Sequence, residues 1–251
     1  MSETEIYTAL SLISLIAFFL KGVMGTGTGT VMMAMATFVI DPKLAVVIAA
    51  FTSIFSGLLM LPMDRGTTLP PRFWMPVAAV MVAGSAAGAM SLRYVPTDIF
   101  KVILGTAFLL AGLWFGLRRK QTVSSAQAPK IASKTDLGVG LFSGYCGGFI
   151  GVNASPLIIH FGRYLDKRHL RRLLVLIFIP AAVVQTATFM ANGLFTREAL
   201  IYTAVMLPGM GLGIWIGNRS HARISEEWFA RALAVFLVIV SLRLIWQGVV
   251  S

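Results

Sequence analysis

The chain reads as an all-α integral membrane protein made of two inverted repeats, each a glycine-broken helical hairpin plus three transmembrane helices. Three observations carry that reading. Of the 251 residues, 57% are hydrophobic and only 12% charged, about half the charged share of a soluble domain. The apolar runs are long, continuous and without period-two alternation, which favours helices over a membrane β-barrel. Two runs of small residues, Gly25-Thr26-Gly27-Thr28-Gly29-Thr30 and Gly147 to Pro156, interrupt apolar sequence, one in each half. Glycine and proline weaken helices, and lipid cannot pair the backbone groups they free. Such breaks persist only inside protein or beside an aqueous cavity.

The elements follow in order. The stretch 7–40 is too long for one span and too short for two full ones. Its glycine run falls near the middle, so it is expected to fold as a hairpin with its tip inside the membrane. Spans are expected over 45–61, 73–92 and 99–117. A polar linker over 119–135, rich in Ser, Gln and Lys, separates a first repeat (5–118) from a second (136–250). The second repeats the pattern with a broken stretch over 137–165 and spans over 170–191, 199–216 and 229–247. The halves superpose with little drift. At an offset of 126, Gly22 and Gly25 fall on Gly148 and Gly151; at 127, Gly66 falls on Gly193; at 129, Gly84, Gly88 and Phe100 fall on Gly213, Gly217 and Phe229. Gly84/Gly88 and Gly213/Gly217 have the small-xxx-small spacing that packs helices closely.

Positive charge decides the orientation. With eight full spans and parallel repeats, inside and outside loops carry nearly equal numbers of Lys and Arg. With hairpins that return to their own side, each repeat crosses three times and the repeats are inverted. Both termini then lie outside. The cytoplasmic loops gather Arg65, Arg72, Arg118, Arg119, Lys120, Lys130, Lys134, Arg163, Lys167, Arg168, Arg171, Arg172, Arg219 and Arg223, against Lys43, Arg93, Lys101 and Arg197 outside. That is the positive-inside bias, and it accounts for the net charge of +11 without a nucleic-acid partner. The acidic start Ser2-Glu3-Thr4-Glu5 does not suit a cleaved signal peptide. A lone Cys146 excludes an internal disulfide and any multi-cysteine metal site, and its place beside Gly147-Gly148 suits a small packing residue.

The glycine-rich break at Gly22 to Gly29, the turn Asp41-Pro42-Lys43, the second break running from Gly148 to Pro156, and Gly84/Gly88 together resemble the sulfite exporter TauE/SafE family, also called the toluene sulfonate uptake permease family. The resemblance covers roughly residues 5 to 248. It implies a bacterial inner-membrane transporter of small sulfur-containing anions of the sulfite, sulfonate or sulfoacetate type. The chain departs from the family pattern at Asn153-Ala154-Ser155, where further glycines are common.

The residues agree with an anion as partner. A helix that begins after a break offers free N–H groups and a positive dipole end, and glycine lets an anion come close to the backbone. The candidate binding set is Gly25, Thr26, Gly27, Thr28, Gly29 and Thr30 in the first break, Gly151, Asn153 and Ser155 in the second, with Lys21 and Gln185. Pro156 suits the first turn of a returning arm, where its missing N–H has no helical partner anyway. Lys21 has two readings: pairing with the anion, or reaching back to an interface. His160 also has two: titration with a coupling proton, or a structural hydrogen bond. Thr52, Ser53, Thr186 and Thr188 either face the substrate or bond back to their own helix. The glycines themselves have an alternative role in helix packing. No mid-span acids lie at helical spacing, and no nucleotide-binding loop occurs. The expectation is therefore a secondary carrier that is not an enzyme and needs no cofactor, with a passive channel or a substrate-free membrane scaffold as alternatives.

Overall fold

The computed structural model describes residues 2–24, 28–64, 68–117, 130–220 and 226–250. These are all-helical: α1 (Glu3–Met24), α2 (Thr28–Ala36), α3 (Pro42–Met60) followed by a 3₁₀ turn at Leu61–Asp64, α4 (Pro71–Tyr94), α5 (Thr97–Leu117), α6 (Lys134–Ile150), α7 (Ala154–Phe161), α8 (Lys167–Ala191), α9 (Arg197–Ser220) and α10 (Glu226–Val250). Among the described residues, seven helices are long and apolar enough to cross a membrane: α1, α3, α4, α5, α8, α9 and α10. The protein is a multi-pass, all-α membrane protein.

Local chemistry sets the helix ends. The Asp41 carboxylate accepts from the N–H groups of Lys43 and Leu44, and Pro42 fills the first turn of α3. Ser133 and Asp136 form a reciprocal capping box at the start of α6. Gly151, at φ 72°, stops α6 in the left-handed conformation that glycine adopts without strain. Asp166 caps α8 through the His169 N–H at 2.8 Å. Helices such as α8 and α9 extend past the predicted apolar spans because caps and charged interfacial residues continue them, and hydropathy marks only the lipid-embedded part.

The two broken stretches fold as hairpins with unequal arms. The first arms, α1 and α6, have 22 and 17 residues; the second, α2 and α7, have 9 and 8. At about 1.5 Å per residue the first arms are close to span length and the second are about half of one.

Glycines set the packing of the long helices. Gly209, Gly213 and Gly217 of α9 lie against Ser11, Leu15 and Phe19 of α1 in rising order, so the two helices run parallel. Gly84 and Gly88 of α4 lie likewise against Leu141 and Tyr145 of α6. A Cβ at Gly84, Gly88, Gly148 or Gly217 would fall inside the van der Waals shell of a facing carbonyl oxygen, which is the close backbone approach that small residues permit. Each first arm thus packs on the fourth helix of the other half. Helices α5 and α10 run antiparallel: Gly105 meets Ser241 and Ile245, Gly112 meets Ala234 and Leu237, and Gly248 meets Asp98. Helices α3 and α8 do the same, with Gly57 against Ile179 and the Leu61 carbonyl accepting from Arg172 at 3.1 Å. Leu12, Ile16, Leu110, Trp215, Leu242 and Trp246 face outward, as suits a lipid-facing surface.

Candidate anion site between the two helix breaks

The described parts of the two breaks meet. One cavity of about 30 Å³ is lined by Phe18 of α1, Gly29 and Met32 of α2, Ala49, Ala50, Thr52 and Ser53 of α3, Gly147, Gly151 and Asn153 at the end of α6, and Gln185 of α8. A single water needs about 10–15 Å³ on the same measure, so the space takes more than one water. Residues as far apart in the chain as Phe18 and Gln185 share this wall because α3 and α8 pack against each other and hold a hairpin on each side.

Four of the sequence-derived candidates line the cavity: Gly29, Gly151, Asn153 and Gln185. Asn153 precedes α7, and its side chain makes no capping bond to that helix. Its backbone carbonyl accepts from the Ser143 hydroxyl, which fixes the loop while leaving the amide side chain to the cavity. Gln185 is 4% exposed, and its Nε2 donates to the Gly147 carbonyl at 2.9 Å. The Gly151 N–H donates to the same oxygen at 3.0 Å. Two donors on one carbonyl blunt the negative end of α6 where it borders the cavity.

The other candidates lie elsewhere or cannot be placed. Thr30 is buried in α2 and Ser155 in the first turn of α7; neither lines the cavity. Lys21 sits one layer back. Its ammonium donates to Ser56 at 2.7 Å and lies 5.5 Å from the ring centroid of Phe18, a cavity residue. No carboxylate among the described residues pairs with it. Gly25, Thr26 and Gly27 lie outside the described residues, as do Gly66, Arg65, Arg118, Arg119, Lys120 and Arg223. Thr28 opens α2, and its side chain is likewise outside the described ones.

Thr52 donates to the carbonyls of Ile48 and Ala49, and Ser53 to that of Ala49 at 2.6 Å. Their protons are spent on their own helix, so in this arrangement they present only lone pairs to the cavity. Thr188 bonds back in the same way. Phe18 and Met32 line the cavity without having been singled out in the sequence, and Gly147, the first residue of the second break, without having been named for binding. Apolar side chains and a packing glycine carry no chemical signal; only the meeting of α1, α2, α3, α6 and α8 brings them to one wall. The polar groups at the wall are thus the Asn153 amide side chain and Gly29 in the first turn of α2, with a shielded ammonium behind. That set suits a small anion.

No curated protein and no solved structure matches the chain. A family model does, over residues 10–244, and on that match the chain belongs to the sulfite exporter TauE/SafE family of membrane transporters.

Proposed function

We infer that this protein is a secondary transporter of small sulfur-containing anions, of the sulfite, sulfonate or sulfoacetate type, held between the two helix breaks near the membrane midplane. The observation that carries this reading is the shared cavity: Gly29 from one break and Gly151 and Asn153 from the other line the same wall. An anion there accepts from the Asn153 amide and from the first-turn N–H groups of α2 and α7, which no intrahelical partner uses. Gln185 supports the site by occupying the Gly147 carbonyl, and Lys21 supplies a positive charge close behind.

The repeats, 5–118 and 136–250 joined by 119–135, are read as inverted, with both termini outside the cell membrane. A two-fold axis in the membrane plane makes equivalent helices antiparallel. The antiparallel runs of α5 with α10 and of α3 with α8 support this, as does the concentration of Lys and Arg on one side.

Thermal unfolding of the purified protein against sulfite, thiosulfate, methanesulfonate and acetate tests the site. A ligand at a hundred times its Kd adds about 2.7 kcal/mol, which raises the midpoint by roughly 5–10 °C. A sulfur oxyanion is expected to do this and acetate to do so less. No shift with any of them removes the anion site. Counterflow in proteoliposomes then separates carrier from channel: a carrier concentrates labelled anion against excess unlabelled anion inside, and a channel does not.

A further inference from the structure

The far end of α7 carries a second polar cluster. Asp136, 4% exposed, accepts on Oδ1 from His160 Nε2 at 2.6 Å and from the Tyr164 hydroxyl at 2.7 Å, and on Oδ2 from the Ser133 N–H at 2.7 Å. The anion cavity uses none of these groups. A carboxylate only accepts, so Nε2 carries hydrogen and Nδ1 is the nitrogen left to take a proton.

We propose that His160, with Asp136 and Tyr164, is the proton-binding site that couples anion transport to proton movement; this rests on the transport reading given above. Proton and anion sit at opposite ends of one eight-residue helix: Asn153 immediately precedes α7 and His160 lies in its last turn. Nδ1 accepts the proton from hydronium, water leaves, and the imidazolium donates to Asp136. A charge-assisted bond is shorter and stronger than the neutral one, and a cation at the C-terminal end of α7 also suits the helix dipole. Protonation therefore pins the end of α7 to the start of α6, and deprotonation loosens it. Because α7 is one short element, that change reaches the donors at its other end.

The surroundings fit a titrating latch. Asp136 from α6 and Tyr164 from the following turn face His160. α8, also packed on α7, brings Lys167, Arg168, His169, Arg171 and Arg172 in its first turns, with His169 paired to Asp166 at 2.8 Å and Arg172 to the Leu61 carbonyl. α4 brings Arg72 next to Phe73, whose ring packs edge-on to Phe161. At the repeat offset of 126, Leu10 and Ala34 stand where Asp136 and His160 do. The first hairpin therefore lacks the cluster. The end of its returning arm is held instead by Arg243, whose guanidinium donates to the Thr37 carbonyl at 3.2 Å, with no imidazole in the contact. One latch responds to protons and the other does not.

The test uses the full chain in proteoliposomes with labelled sulfite. Counterflow is measured at equal pH, and accumulation under an imposed pH difference. Sulfite's own titration is the same for every variant, so the comparison between proteins isolates the protein's proton. For one coupled proton, one pH unit adds about tenfold accumulation. Wild type is expected to show it, and His160→Gln to lose it while keeping counterflow. Equal accumulation by His160→Gln, or no response of wild type to the pH difference while counterflow runs, overturns the coupling and leaves transport standing. Absence of counterflow in wild type overturns both. Should His160→Gln also lose counterflow, Tyr164→Phe, which deletes one donor to Asp136, is expected to move the pH profile of counterflow; an unmoved profile overturns the proposal.

Discussion

At Gly29 nothing lies within 4 Å of an added Cβ, although the residue lines the cavity. Gly29→Ala therefore puts a methyl into the site at no steric cost to the fold, and in a helix it favours stability by up to about 1 kcal/mol. The expected outcome is an unchanged or raised melting temperature with lost anion binding; binding at wild-type strength would show that the anion does not approach this backbone. Gly151→Ala is a poorer probe. Its φ of 72° and the Met33 side chain 3.1 Å from a Cβ strain the fold, with the left-handed conformation alone costing about 1–2 kcal/mol, so stability falls together with activity. At Asn153, substitution by Leu keeps the branching and the number of side-chain heavy atoms and removes the donor. A hydrogen bond to a charged group contributes about 1.5–3 kcal/mol, so Kd is expected to rise roughly tenfold to a hundredfold in a protein that still folds. Titration of the purified variant with sulfite checks it, and an unchanged Kd takes Asn153 out of the site. Gln185→Leu acts differently, because the Gly147 carbonyl keeps the Gly151 N–H as a single donor. Affinity is expected to fall without loss of any direct contact to the anion.

The short arms are the elements most dependent on tertiary support. An isolated helix of eight or nine residues is marginal, and α2 and α7 are that short. Each is tied at its C-terminal end from another helix: α2 by Arg243 of α10, whose guanidinium also stacks 4.3 Å from the Phe38 ring, and α7 by Asp136 of α6. Arg243→Leu keeps the apolar packing and leaves the Thr37 carbonyl without its donor. Hydrogen exchange of the α2 amides is expected to quicken while α5 stays protected; equal exchange in variant and wild type would mean that Arg243 does not hold the arm. The long helices rely on close contact instead. Gly217→Leu forces α1 from α9 and is expected to cost more stability than Gly211→Leu, since a Cβ at Gly211 meets nothing within 4 Å. Thermal unfolding of the pair decides it.

For the whole molecule the testable property is its orientation. With Cys146 replaced, cysteines at Lys130 and Arg168 are expected to be shielded from an impermeant thiol reagent added outside intact cells, and a cysteine at Arg197 to react. Labelling at only one of Lys130 and Arg168 would restore parallel repeats with eight spans. The same view explains why the cavity needs both halves. One hairpin presents one helix start; it takes the α3–α8 contact at the centre to set a second beside it.

The sequence alone settled the membrane class, the six conventional spans, the position of both breaks and the packing role of Gly84, Gly88, Gly213 and Gly217. These depend on hydropathy, on helix-breaking residues and on small-residue spacing, all of which act locally or along one helix face. Four of the residues it named for chemistry, Gly29 from one half and Gly151, Asn153 and Gln185 from the other, stand at one cavity. Only the tertiary structure decided which hydroxyls are already spent, as at Thr52 and Ser53, that Lys21 bonds Ser56 behind the cavity, that the hairpin arms are unequal, and that Asp136, His160 and Tyr164 form one cluster. Whether a donor is free depends on what the fold sets within about 3 Å of it. Neighbours such as Gln185 and Gly147, 38 positions apart, leave no periodicity in the chain that could announce them.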